Sequence, residues 1–278
     1  MLHRFYNKIE DLPMISLSFI TLIILGCIII PFLCKVDYGY MDLSKTNMSP
    51  NRDFYFGTDT LGRDVFSMIW YGGRISLFIG IMSTIISTCI GVLYGSISGL
   101  SGKSVDNLLM RFCEIVLSIP TILIILFVQG TFGRNNVVSV SIAIGISSWM
   151  SIAKIVRIEI KQIKDSEFVL MSRLMGGSFL HLLKVHLIPN FIPSIMFIVV
   201  SNIGSAILIE STLSFLGLGL PVEIISWGSM LSLSEGALLT NSWWIVFIPG
   251  IFIVVTLVSI TNIGNFIREN SNKKYRNF

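Results

Sequence analysis

The residues that could do chemistry are few and scattered. His181 and His186 stand five positions apart, and imidazole suits nickel and other late transition metals. Their spacing misses the i, i+4 face of an α-helix, so no metal site is read from them. Gly102-Lys103-Ser104 has the ending of a phosphate-binding loop. Such a loop also needs a glycine five positions before Gly102, where Ile97 stands, and a strand in front of it. The stretch reads as a plain turn without a nucleotide site. Cys27, Cys34, Cys89 and Cys113 lie in or beside apolar runs with no CxxC pair, and the twelve methionines read as packing residues. No catalytic residue, metal centre or cofactor of the chain's own is therefore expected. Glu114 and Glu210 differ. Both fall at or near the ends of apolar runs, where a carboxylate is costly and marks a structural hydrogen bond, a gate or a substrate contact.

These residues are set in a chain built for lipid. Of 278 residues, 53% are hydrophobic and 13% are charged, with a mean hydropathy of +0.80. Soluble domains carry roughly a quarter charged residues. One membrane domain accounts for the length, and a soluble catalytic domain does not fit beside it. The net charge of +4 is no sign of nucleic acid. In a membrane chain its placement is what matters.

Apolar runs of about 20 residues predict spanning helices. They fall at about Ile15–Leu33, Ile75–Ser98, Phe112–Val128, Val137–Ala153, Phe191–Ile209 and Trp243–Ile263. The first is too long for the core of a cleavable signal and reads as a retained helix. With the N-terminus inside, the inner segments hold 14 of the 20 Lys and Arg residues, among them Lys103, Lys154, Arg157, Lys161, Lys164 and Arg173. The outer segments hold Lys35, Lys45, Arg52, Arg63, Arg74 and Arg134, offset in the first loop by Asp37, Asp42, Asp53, Asp59 and Asp64. The excess of inner positive charge predicts both termini in the cytoplasm. The chain divides into a first helix and outer loop (1–74), a core of five spans (75–269) and a cytoplasmic tail (270–278).

The inner connection, 154–190, is too apolar for a solvent loop and too charged for a span. Phe168, Met171, Leu174 and Met175 recur at helical spacing among Glu167, Ser172 and Arg173, which predicts a short amphipathic helix. Gly176-Gly177 permits a turn at positive φ. Leu180, Leu182, Leu183 and Leu187 form a second apolar face, closed by Pro189. Periodicity leaves two readings open: an arm that docks in a partner's groove, or a helix pair lying on the inner leaflet.

The spacing of Gly176 and Pro189, thirteen residues apart with Ile188 before the proline, resembles the coupling loop of binding-protein-dependent ABC permeases. Leu170-Met171-Ser172 replaces the Glu-Ala-Ala triplet usual there, and His186 replaces an isoleucine. Phe56-Gly57-Thr58-Asp59-Thr60-Leu61-Gly62-Arg63-Asp64-Val65-Phe66-Ser67 resembles the FGTDxxGRDxxS signature of peptide and nickel permeases. Glu210–Leu220 with Ser226-Trp227-Gly228, Trp149 with Arg157, and Asn262, Gly264 and Arg268 resemble further signatures. Asn265 stands where the family usually has Asp. The likeness covers about Phe56 to Glu269.

The resemblance implies an all-α membrane protein with six transmembrane helices and the type I ABC importer permease fold with cytoplasmic coupling helices. It assigns ATPase coupling to Glu167, Met171, Ser172, Arg173, Gly176, Gly177, Ile188 and Pro189. It assigns an outer-loop signature to Gly57, Thr58, Asp59, Gly62, Arg63 and Asp64, of which Asp59, Arg63 and Asp64 brace the loop by charge-assisted hydrogen bonds. Glu210, Ser214, Phe215, Gly217 and Trp227 are its gating or substrate-path candidates. The implied partners are two ABC ATPase subunits that bind ATP and Mg²⁺, a second homologous permease, an extracytoplasmic substrate-binding protein and membrane lipid. The stretch EFVLMSRLMG looks closer to nickel-importer permeases, so nickel ion or a metal chelate is the expected cargo, with di- and oligopeptides as the alternative. An ion-coupled secondary transporter is the rival of another class. It calls for buried charges near mid-membrane and often an internal repeat. A membrane-bound sensor or scaffold is a further rival, one that would not need the Gly176–Pro189 spacing.

Overall fold

In the computed structural model, residues 13–33, 39–132, 136–176, 178, 181–221, 223–233, 237 and 241–275 are described. Arg4, Lys8, Cys34, Lys35, Asp37, Arg134, Gly177, Leu180 and Arg276 lie outside them, as do the side chains of Phe168, Arg173, Lys273 and Lys274. The described chain is helical: α1 (Met14–Leu33), α2 (Val65–Leu100), α3 (Lys103–Leu117), α4 (Thr121–Phe132), α5 (Val137–Ile163), α6 (Glu167–Leu174), a π-helical turn (Leu182–Leu187) running into α7 (Ile188–Phe215), α8 (Trp227–Ser232) and α9 (Trp244–Tyr275). A 3₁₀ turn, Leu43–Lys45, lies in the first outer loop.

Among the described residues five helices are long and apolar enough to cross a membrane, and α3 with α4, bent by 92°, passes the same test as a pair, which makes six if the two are one broken span. The expected third span, Phe112–Val128, straddles that bend, so one straight helix there is corrected to a broken one. Pro120 has no N–H to donate, and it drives Ile119 away from α geometry. The Val116 carbonyl, which Pro120 cannot serve, accepts instead from the Ile119 N–H at 3.2 Å. Segment α3 is amphipathic, with Asp106, Met110 and Cys113 turned inward at i, i+4, i+7.

The other spans are longer than their apolar runs. At 36 residues, α2 reaches about 54 Å, well beyond a hydrocarbon layer of ~30 Å. A boundary at residue 74 falls inside this helix, and one at 269 falls inside α9. The α5 helix continues to Ile163 through Lys154, Arg157 and Lys161.

Helices α2 and α5 form the tightest pair. Gly91, Gly95 and Gly99 repeat at i, i+4 on one stripe of α2, against Ile152, Ala153 and Ile160 of α5. A Cβ on Gly95 would sit 2.5 Å from the Ala153 carbonyl oxygen. Lipid supplies no hydrophobic drive between helices, so close backbone packing along small residues holds the pair. The end that the charge distribution predicts to face outward, called outer below, packs Met68, Ile69, Trp227, Met230 and Trp244 together. The opposite end, called inner, packs Val156 and Ile160 against Leu183, Leu187, Phe191 and Ile195.

Candidate functional site

The FGTDTLGRD stretch folds on itself into a cap. Thr58 Oγ1 donates to the Lys45 carbonyl at 2.5 Å and accepts from the Met48 N–H at 2.8 Å. Asp59 Oδ1 accepts from the N–H groups of Leu61 and Arg63 at 2.9 and 2.8 Å, and Oδ2 accepts from Arg63 Nε at 2.7 Å. Gly57 and Gly62 turn at φ +74° and +72°, where a side chain is strained. A Cβ on Gly62 would also collide with the Asp42 carbonyl. Asp64 caps α2, accepting from Ser67 N–H at 3.0 Å and from its hydroxyl at 2.6 Å. At the loop's edge, hydrogen bonds from Ser44 and Lys45 hold the Asp42 carboxyl down at about 2. Trp244 Nε1 donates to the Thr58 carbonyl at 3.0 Å, fastening the cap to α9. Asp59 and Arg63 are each buried to 2% exposure, so their charges face each other rather than a passing solute.

Glu210 lies fully buried where α7, α8 and α2 meet. Its Oε1 accepts from the hydroxyls of Ser226 at 2.7 Å and Ser214 at 2.9 Å, and its Oε2 accepts from Ser76 at 3.3 Å. Ser76 Oγ in turn accepts from the Trp227 N–H at 3.2 Å, and Trp227 Nε1 donates to the Ile69 carbonyl at 2.9 Å. The buried carboxylate thus holds Ser226 and, through Ser76, Trp227 at the start of α8 against the bundle. Of the five gating candidates, the structure joins Glu210, Ser214 and Trp227 in one network. Phe215 and Gly217 stand exposed at the end of α7. Glu114 is exposed on α3 and does not enter the network.

On the inner face, α6 buries Val169 and Ser172 and turns Leu170, Met171, Leu174 and Met175 outward; Leu174 and Met175 are 83% and 84% exposed. The described face formed by Met171, Leu174 and Met175 is therefore real but points away from the bundle. Glu167 is exposed at the helix start. Gly176 turns at φ +80° with open space around its Cα. Leu182, Leu183 and Leu187 anchor the loop against α5 and α7. Pro189 does not close this segment. It sits exposed in the first turn of α7, where a missing N–H is tolerated, with Ile188 half-buried before it. The second helix of the expected pair is thus a π-helical turn continuous with α7.

One cluster was not found from sequence. Asp106, 2% exposed, accepts from Arg157 Nε at 2.5 Å and Nη2 at 2.7 Å, from the Ser98 hydroxyl at 2.6 Å, and from Lys161. It ties the inner ends of α2, α3 and α5. The available signal was Arg157 and Lys161 at i, i+4 on α5, opposite an acid in the first turn of α3. Among the described residues no group of three or more His, Cys, Asp or Glu could hold a metal ion.

The described residues thus form a helical bundle with a braced cap at one end and an apolar knob exposed at the other. The family described as "Binding-protein-dependent transport system inner membrane component" matches residues 91–277, and the chain belongs to that family, the permeases of ABC importers. The oligopeptide transport system permease protein OppC of Bacillus subtilis is 37% identical over 267 residues, 96% of this chain and 87% of the relative. The dipeptide transport system permease protein DppC of the same organism is 34% identical over 269 residues, 97% and 84%. Escherichia coli OppC is 35% identical over 263 residues, 94% and 86%.

Proposed function

We propose that this chain is the permease subunit of an importer of di- or oligopeptides. The observation that carries the substrate is that relatives matched over nearly the whole chain are named as oligopeptide and dipeptide permeases. The peptide alternative therefore takes precedence over nickel ion or a metal chelate.

In this reading a loaded binding protein docks on the outer face. Two ATPase subunits, which hold ATP and Mg²⁺, grip the Leu170–Met175 knobs of this chain and of a second permease. Their closure shifts α6 and the π-helical turn. Leu183 and Leu187 press on α5 and α7, so the displacement reaches two spans directly. Asp106 keeps the inner ends of α2, α3 and α5 moving as one block, while the Glu210 network holds the outer segment until the helices tilt. The chain converts the partners' hydrolysis into motion and has no hydrolytic role itself. Both termini lie in the cytoplasm, as the charge distribution favours.

Uptake of labelled tripeptide and of radioactive nickel, compared in a deletion strain and in the complemented strain, tests the substrate. Loss and restoration of peptide uptake with nickel unchanged is the expected result. Nickel uptake alone following the gene would overturn it.

A further inference from the structure

The turn carrying His181 and His186 is not α-helical. Leu182–Leu187 is a π-helix, and the Ile188 N–H donates to the Leu183 carbonyl, five residues back. In that register residues five apart share a face. His181 and His186 are five apart, and their ring centroids lie 5.9 Å from each other with the planes at 77°. The spacing that fails on an α-helix brings the two rings together on this turn. His181 is exposed and His186 half-buried, so solvent reaches the pair.

A zinc ion binds imidazole nitrogen at about 2.0–2.1 Å, which places two rings on one tetrahedral ion roughly 5 Å apart between centres. Small rotations about χ1 of each histidine close the remaining gap, and the broad terminal torsion turns the ring nitrogens toward the ion. We propose that His181 and His186 form a two-imidazole site for a late divalent transition-metal ion, Zn²⁺ or Ni²⁺ in chemical class. Imidazole favours these ions over the hard cations Mg²⁺ and Ca²⁺. With no third protein ligand among the described residues, water completes the coordination and binding is reversible. The turn lies between the Gly176 knob and α7, so an ion bridging the two rings stiffens the element through which the knob reaches a span. The site belongs to the inner coupling loop and is independent of which solute is carried.

The test is a Zn²⁺ titration of the full chain, purified in detergent with its cysteines alkylated, read by competition with a chromophoric chelator and by the change in Tm. One ion per chain and a zinc-dependent rise in Tm are expected. His181→Asn should weaken binding at least tenfold and abolish the rise while leaving the metal-free Tm unchanged. His186→Asn, at a half-buried position, is the second variant; it should also weaken binding at least tenfold, and it decides the matter if His181→Asn lowers the metal-free Tm. Absence of saturable binding, or binding unchanged in either single variant, would overturn the proposal.

Discussion

Arg74 Nε donates to the Cys27 carbonyl at 2.5 Å, across the crossing of α1 and α2. Cys27 is four residues before Pro31, which lies inside α1 and has no N–H to return to that carbonyl. Arg74 Nη2 reaches the Ile28 carbonyl at 2.8 Å, and the Tyr71 hydroxyl reaches the Pro31 carbonyl at 3.2 Å. A proline in the first helix is thus repaired by side chains of the second, which makes α1 part of the bundle rather than a loose anchor.

Arg74→Leu should lower stability by about 1–3 kcal/mol, the cost of leaving a buried carbonyl without a donor. Pro31→Ala restores an N–H four residues after Cys27, so in that background Arg74→Leu should cost clearly less. Thermal unfolding of the four members of this double-mutant cycle in detergent checks it. Equal costs in both backgrounds would mean that Arg74 acts elsewhere.

Asp106→Asn should destabilise the inner ends of α2, α3 and α5 by about 1–3 kcal/mol. That is below the loss for a fully buried pair because Arg157 and Lys161 are 24% and 35% exposed. Arg157→Met alone should cost less than Asp106→Asn, since Lys161 still faces the carboxylate. Proteolysis rates at the 101–103 turn follow the opening of this end, and a faster cut only in Asp106→Asn would fit.

The spans were legible in sequence because a bilayer imposes length and apolarity on each of them. The bend at Pro120 was not, since hydropathy runs through it and proline is tolerated in lipid-embedded helices. The apolar face of α6 was legible as a face. Its direction was not, because periodicity fixes which residues share a side and says nothing about which side meets the bundle. Asp106 was not legible because its partner Arg157 lies 51 residues away; the i, i+4 pair Arg157 and Lys161 marks a basic face without specifying the acid that meets it. The closeness of His181 and His186 was not legible because a period of 3.6 separates residues five apart, whereas the Leu182–Leu187 turn is π-helical.

Glu210→Gln should keep peptide uptake within about threefold of wild type. A neutral amide still accepts from Ser214 and Ser226, and its NH₂ can donate to Ser76 Oγ, which has lone pairs to spare. Glu210→Ala strands three hydroxyls in a buried site and should lower Tm and uptake together, at about 1–3 kcal/mol of stability. If Glu210→Gln folds normally yet transports nothing, the charge itself takes part in gating and the bracing role is insufficient.

The knob offers the sharpest test of coupling. At φ +80° Gly176 occupies a region open to glycine, acceptable to asparagine and hostile to β-branched residues. The space around it within the chain is empty, so a substitution acts on the backbone rather than through a clash inside the chain. Gly176→Asn should transport near normally, whereas Gly176→Val should misdirect the turn, abolish uptake and leave ATP hydrolysis by the assembled complex unlinked to substrate. Leu174→Asp with Met175→Asp leaves the turn intact and places charge on the exposed apolar face, so it should weaken retention of the ATPase subunits during purification. Co-purification yield, substrate-stimulated ATP hydrolysis and uptake, measured on the same preparations, separate a misaimed knob from one that no longer binds. Normal uptake by Gly176→Val at wild-type membrane levels would remove the coupling role from this loop and return the helix pair on the inner leaflet as its explanation.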